Sequence, residues 1–241
     1  MPMLVHTSDV LGDGTWPPSI GDQITKKLRD AIVYAELLPG ARLKQEELAR
    51  QLGTSRVPLR EAMRQLSAEG LIEWTSNRTA IVRSLEIEEI QELFELAAVL
   101  ESRATYHGVP NLDDVDIQTL KRLNREIEQK RIDLRAWYEK NLEFHLLPML
   151  RSRQRHTVNM VAAIRSNLTR FFMIPSLYGE PDGEWHKHHR DQHHELLVAF
   201  EARDAKRAKR LVEADWRGAW SHWRPRLERG LLLSERARDT A

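Results

Sequence analysis

The feature that most constrains this chain is a change of hydrophobic rhythm near residue 86. Before it lie short helical patterns stopped by glycine and two short β-prone runs; after it only long amphipathic stretches occur. Ile20, Ile24, Leu28, Ala31 and Ile32 recur at helical spacing behind Ser19, a plausible N-cap, and the run ends near Leu38-Pro39-Gly40. A short helix fits Gln45 to Leu52, with Gly53 as its stop. Another fits Ser55 to Glu69, where Ser55 is placed to cap it, Pro58 falls in the first turn, and Leu59, Ala62, Met63 and Leu66 form the apolar stripe. Leu71-Ile72-Glu73-Trp74 and Thr79-Ala80-Ile81-Val82 flank a polar tip and read as a hairpin. Helix, helix, turn, helix, hairpin is the order of a winged helix-turn-helix.

Beyond Glu86 the pattern predicts helices at about 87–107, 113–131, 133–150, 153–174, 184–202 and 204–229, with mostly short connections. The expected fold is therefore mainly α: an N-terminal winged helix-turn-helix followed by an antiparallel all-helical bundle. The corresponding division is a flexible arm over 1–18, rich in Gly, Pro and small polar residues, a DNA-binding domain over 19–83, a linker at 84–86, the bundle over 87–230 and a tail over 231–241. At 241 residues the chain is long enough to bury a real core. It has no cysteine, which excludes disulfides, thiol nucleophiles and Cys-ligated zinc, and no apolar run of membrane-spanning length; a soluble, cytoplasmic protein with no membrane partner is expected.

The net charge of +1 carries no whole-chain signal for nucleic acid, so charge must be read by segment. Between Arg50 and Arg64 the sole acid is Glu61, and Arg56, Arg60 and Arg64 repeat every four residues on one helix face. Guanidinium groups so placed suit guanine edges or phosphate oxygens, although a solvated helix face carries such charges equally well. Glu61 reads as a structural acid pairing with a neighbouring arginine.

The strings Leu38-Pro39-Gly40-Ala41-Arg42-Leu43, Leu52-Gly53-Thr54-Ser55-Arg56-Val57-Pro58-Leu59-Arg60-Glu61-Ala62 and Glu69-Gly70-Leu71-Ile72 resemble the GntR family of bacterial transcription regulators. The resemblance implies that Ser55, Arg56, Val57, Arg60 and Arg64 face an operator, with Asn77 and Arg78 at the wing tip. Val57 stands where some relatives carry a hydroxyl residue.

The second half resembles the FCD effector-binding domain of the FadR subfamily, in which a divalent metal is held by an Asp-x-x-x-His pair and two further histidines. By that resemblance Asn141, His145, His193 and Asp215 would be the ligands. Asn replaces the usual Asp and Asp the last His, so the formal ligand charge is unchanged. Two nitrogens and two oxygens suit zinc, nickel or manganese. The histidine pairs His145 with Asn141 and His193 with His189 sit four residues apart, as ligands on one helix face do, and also as ordinary surface or core histidines do.

Arg165 and Arg170, with Asn167, are candidates to meet a small carboxylate effector, Ala97 standing where relatives carry arginine. Trp185, Trp216, Trp220 and Trp223 read as packing anchors. The expected protein is a homodimeric regulator of double-stranded operator DNA, a repressor and not an enzyme, with the join near Arg83-Ser84-Leu85 transmitting the effector's message. The competing readings are a metal-dependent hydrolase or a metal-binding protein using the His-rich segment; against the first, the chain has no His-Glu-x-x-His and no nucleophile motif.

Overall fold

A computed structural model describes residues 19–77, 79–129, 132–173 and 183–239, with 183, 184, 186 and 231–239 given by backbone alone. The expected arm over 1–18, Arg78 and the breaks near Arg131 and over 175–182 lie outside the described residues. The chain forms two compact units that meet in sequence at Arg83 and Ser84, Val33–Glu36 belonging to the second.

In the first unit, α1 (Ile20–Val33) starts with a reciprocal cap. The Asp22 N–H donates to Ser19 Oγ at 3.1 Å, and the Ser19 N–H donates to the Asp22 carboxylate at 3.0 Å. Helix α2 (Gln45–Gln51) and helix α3 (Arg56–Ala68) follow, then the strands β2 (Ile72–Trp74) and β3 (Ala80–Val82). A two-residue strand, β1 (Arg42–Leu43), escapes sequence reading because it is too short to show alternation; it pairs antiparallel with β3, which gives the order β1-β3-β2. Ile24, Leu28 and Ile32 of α1 bury against Leu59, Met63 and Leu66 of α3 and against Leu43, Ile72 and Val82 of the sheet. Gly70, at φ 72°, turns the chain from α3 into β2, and the Leu71 N–H donates back to the Leu66 carbonyl.

The second unit is helical throughout: α4 (Ile87–Gly108), a 3₁₀ turn at Val109–Asn111, α5 (Asp114–Ile127), α6 (Leu134–Leu150), α7 (Arg155–Phe172), α8 (Gly183–Glu201) and α9 (Ala205–Asp239). The backbone of α9 runs on past residue 229, the end expected from the sequence, and through Pro225. Helix α4 is the centre of the bundle and packs on α6, α7 and α9, while α5 packs on α6 and α8. Ile90, Phe94 and Ala97 of α4 share one core with Leu120, Phe144, Leu168, Phe171, Leu196, Phe200, Val212 and Trp223. Asp113 and Asp116 cap α5 reciprocally, and Arg151 at the end of α6 clamps Asp116 with bonds of 2.8 and 2.7 Å. No helix among the described residues is long and apolar enough to cross a membrane.

Where α4 crosses α6, a Cβ added to Gly108 would stand 1.7 Å from the Pro148 carbonyl oxygen. Intrinsic propensity favours alanine over glycine inside a helix by roughly 0.5–1 kcal/mol. The close backbone approach reverses that sign here. Gly108→Ala is expected to destabilise the protein by about 1–3 kcal/mol or more, read as a lowered midpoint in denaturant unfolding; an unchanged or raised midpoint would refute the packing argument.

Candidate functional site

Helix α3 presents the first candidate surface. Leu59, Ala62, Met63 and Leu66 anchor it in the core, so the opposite face, with Ser55, Arg56, Val57, Arg60 and Arg64, is turned to solvent. Ser55 occupies the N-cap position but its side chain makes no capping bond, contrary to the expected cap, which leaves the hydroxyl available beside the positive end of the helix. Arg56 is paired with Glu46 of α2, and Arg64 with Glu61 at 2.8 Å. Arg60, one turn beyond Arg56, has no ion pair among the described residues. Asn77 is exposed at the tip of the β2–β3 hairpin, which the Thr75 N–H closes on the Thr79 carbonyl at 2.9 Å. Its expected neighbour in that role, Arg78, is outside the described residues.

The second candidate lies inside the bundle and is organised by Glu101 of α4. This carboxylate is fully buried and accepts from Arg165 Nε and Nη2 at 2.8 and 2.6 Å and from Trp216 Nε1 at 3.1 Å. His145 Nδ1 lies 2.9 Å away. Burial alone would raise its pKa, but the charges of Arg165 and His145 and their hydrogen bonds outweigh burial and hold it at about 2. Glu101 was missed in the sequence, yet it stands on the buried stripe of α4 after Ile90, Phe94 and Ala97, and an acid on an apolar stripe is the signal that finds it.

The hydrogen-bond network assigns the tautomers of the two central histidines. His145 Nδ1 faces the ionised Glu101, so it carries the proton. His193 Nδ1 lies 3.2 Å from Asn124 Oδ1, and because Asn124 Nδ2 already donates to Glu128, that oxygen must accept from His193. The two Nε2 atoms then face each other at 3.2 Å, His193 offering a lone pair and His145 a proton when charged or a second lone pair when neutral. Such a contact is attractive only with a proton or a metal ion between the nitrogens. Two nitrogens bound to one zinc at about 2.0–2.1 Å stand roughly 3 Å apart, so the pair has the spacing of a chelate. His193 is held neutral: burial, with the positive neighbours His189, His145 and Arg165, pushes its pKa well below the ordinary value.

Asn141 accepts from His189 Nε2 at 3.2 Å, and Asp215, whose carboxyl is raised by burial, lines the same cavity. Among the described residues, no three His, Asp or Glu side chains close on one point. Of the four expected ligands, His145 and His193 are in contact with each other, while Asn141 and Asp215 line the adjoining cavity.

The cavity encloses about 70 Å³ and is lined on its polar side by Asn141, His145, Arg165, Thr169, His189 and Asp215. Its apolar walls are Phe94, Trp137, Tyr138, Phe172, Trp185, Trp216 and Trp223. Three of the tryptophans read as packing anchors are therefore also its walls. Arg165 reaches this cavity; Asn167 and Arg170 do not line it. Arg170 is fully buried, its Nε donating to the Asn167 carbonyl at 3.1 Å, and Asn167 Nδ2 bonds the Ala163 carbonyl at 3.1 Å.

Glu101→Gln removes one partner of a buried ion pair and is expected to cost about 3–5 kcal/mol at neutral pH. Because the folded pKa lies below the unfolded one, the wild-type advantage is complete above about 4.5 and is lost as pH falls toward about 2. Denaturant unfolding of both proteins from pH 7 to pH 3 should show the gap closing; a gap that is constant over that range would disprove the assignment.

Comparison with known proteins finds a family match for each of the two units. The model of the bacterial regulatory proteins of the gntR family matches residues 20–82, and that of the FCD domain matches residues 92–217. The chain is 25% identical over 214 residues to the uncharacterized HTH-type transcriptional regulator YdhC of Bacillus subtilis, covering 86% of this chain and 92% of that one. It is 26% identical over 184 residues to the HTH-type transcriptional regulator McbR of Escherichia coli, 76% of this chain and 82% of that one. The solved structure of E. coli McbR/YncC superposes with a TM-score of 0.76 at 23% identity, covering 85% and 97% of the two chains, which shows the shared fold. These findings give the hydrolase alternative no support. The chain belongs to the GntR family of transcription regulators, with an N-terminal helix-turn-helix domain and a C-terminal FCD effector-binding domain.

Proposed function

We propose that the protein is a cytoplasmic homodimeric repressor. Its α3 enters the operator major groove, and a small carboxylate bound in the bundle cavity releases it. The observation that carries the DNA half is the outward row Ser55, Arg56, Val57, Arg60 and Arg64, with a Ser55 hydroxyl that makes no capping bond and an Arg60 that has no ion pair among the described residues. Arg56 has the donors for a bidentate guanine contact. Arg60 and Arg64 add guanine or phosphate contacts, and Asn77 with Arg78 would reach the backbone or minor groove from the wing. Two heads on one palindrome gain affinity that one small head lacks, which favours the dimer.

In the bundle, the facing Nε2 atoms of His145 and His193 support a divalent metal, which would replace any proton between them, with Asn141 and Asp215 as the adjacent oxygen donors. Zinc, nickel or manganese held there would supply a Lewis-acidic centre able to attract a carboxylate. Arg165 spends Nε and Nη2 on Glu101, leaving the Nη1 protons to orient the ligand's second oxygen, and the aromatic walls exclude water around it. Effector binding alters operator affinity by favouring the conformation that holds DNA less well.

The DNA half is tested by binding to the protein's own upstream DNA over a salt series. Wild type should bind one duplex tightly and with a steep salt dependence, and Arg56→Ala with Arg60→Ala should abolish the preference while secondary structure and dimer mass persist. Absence of any preferred duplex would overturn the reading. The metal half is tested by elemental analysis after zinc loading and dialysis. One equivalent per chain is expected in wild type, with little in His145→Ala or His193→Ala; equal zinc in all three would place the metal elsewhere.

A further inference from the structure

We propose that Val57 reads the 5-methyl group of a thymine in the operator, on a base pair neighbouring the one read by Arg56. The inference rests on the DNA-reading role of α3 proposed above and names a base that the role alone does not give.

Val57 is the second residue of α3 and is 73% exposed, although the next turn of the same helix is buried completely at Leu59, Ala62 and Met63. A branched apolar side chain is thus held in water at the end of the helix that faces the groove. Its immediate neighbours there are Ser55, Arg56 and Arg60, each able to give hydrogen bonds to base edges or phosphates.

An isopropyl group has no hydrogen bond to give. Laid over guanine N7 and O6, adenine N7 and N6, or cytosine N4, it would strip water from donors and acceptors and return nothing, at a net cost. The thymine methyl is the one apolar group that the major groove displays, and packing against it removes apolar surface from water on both sides. Valine also suits positional reading because in a helix its χ1 is confined almost to one rotamer.

Exposure alone does not carry the argument, as Val115 shows. It too is the second residue of its helix, α5, and is also 73% exposed, but it lies between Asp114 and Asp116, whose charges would repel a phosphate backbone. Arg56 and Arg60 give Val57 the opposite surroundings. Leu150, 60% exposed, also has arginines beside it, Arg151 and Arg153, but it ends α6, where the helix dipole disfavours a phosphate, and Arg151 is already committed to Asp116.

The test replaces each thymine, one at a time, by deoxyuridine, which lacks only the methyl group, in the duplex that wild type retains best from a randomised 25-base-pair pool. Binding is measured at fixed salt. At one or two positions deoxyuridine should weaken wild type about fourfold, the equivalent of one buried methyl group. Val57→Ala should lose most of that sensitivity at those positions only, and Val57→Thr, which keeps a methyl on a branched side chain, should retain part of it. Because the residue is exposed, both variants should unfold at the wild-type midpoint. If every deoxyuridine penalty is the same in wild type and Val57→Ala, the assignment of Val57 is wrong while the DNA-reading role of α3 stands. If wild type retains no duplex, the role itself fails and the inference with it.

Discussion

The bundle depends on one buried carboxylate. Glu101 of α4 is reached by Arg165 from α7, His145 from α6 and Trp216 from α9, so a single charged group ties together four helices. An isolated anion at this depth would be prohibitively costly. The guanidinium in two-bond geometry, the imidazole and the indole offset that cost together. Arrangement follows from this economy. Arg165 is drawn across the face of Trp216, His145 is fixed in the tautomer that turns Nε2 toward His193, and the cavity forms beside them. Hydrophobic burial supplies the cohesion of the bundle, but it is non-directional; Glu101 supplies direction.

The helices were legible because their apolar residues keep helical spacing and their ends carry recognisable stops, as with Gly70 after α3 and Asp113 before α5. Strand β1 was not legible because two residues show no period, and its existence depends on pairing with β3, nearly forty positions away in the chain. The uncapped Ser55 shows a different limit: Ser at a helix start is a good signal of the start, while the use of its hydroxyl is settled by local geometry.

The candidate site was legible in its histidines and in the arginine face of α3, both carried by residue type at fixed spacing. What failed to appear was the set of residues that the site recruits from apolar positions. Glu101 hides among Ile90, Phe94 and Ala97, and Trp137, Tyr138 and Phe172 look like any other core aromatics until the helices bring them round one cavity. Arg165 and Arg170 looked equivalent in sequence; burial and partners separate them, one turned to the cavity and the other fixed to the carbonyl of Asn167. A carboxylate's role depends on which cations reach it, and that is information held by the tertiary structure.

The pairing of Arg56 with Glu46 and of Arg64 with Glu61 has a consequence for how a reading head of this kind would search a genome. A bare cationic helix end would dwell on every stretch of duplex, and a genome offers roughly 10⁶–10⁹ competing stretches. In the proposed role, two of the arginines would meet any duplex already engaged. Exposed pairs of this type are weak, about 0–1 kcal/mol each, so they yield readily to the two-bond edge of a guanine while blunting the gain from a passing phosphate. With α3 in the proposed DNA-reading role, the acids would shorten idle residence on the wrong DNA more than they would slow engagement with the right one.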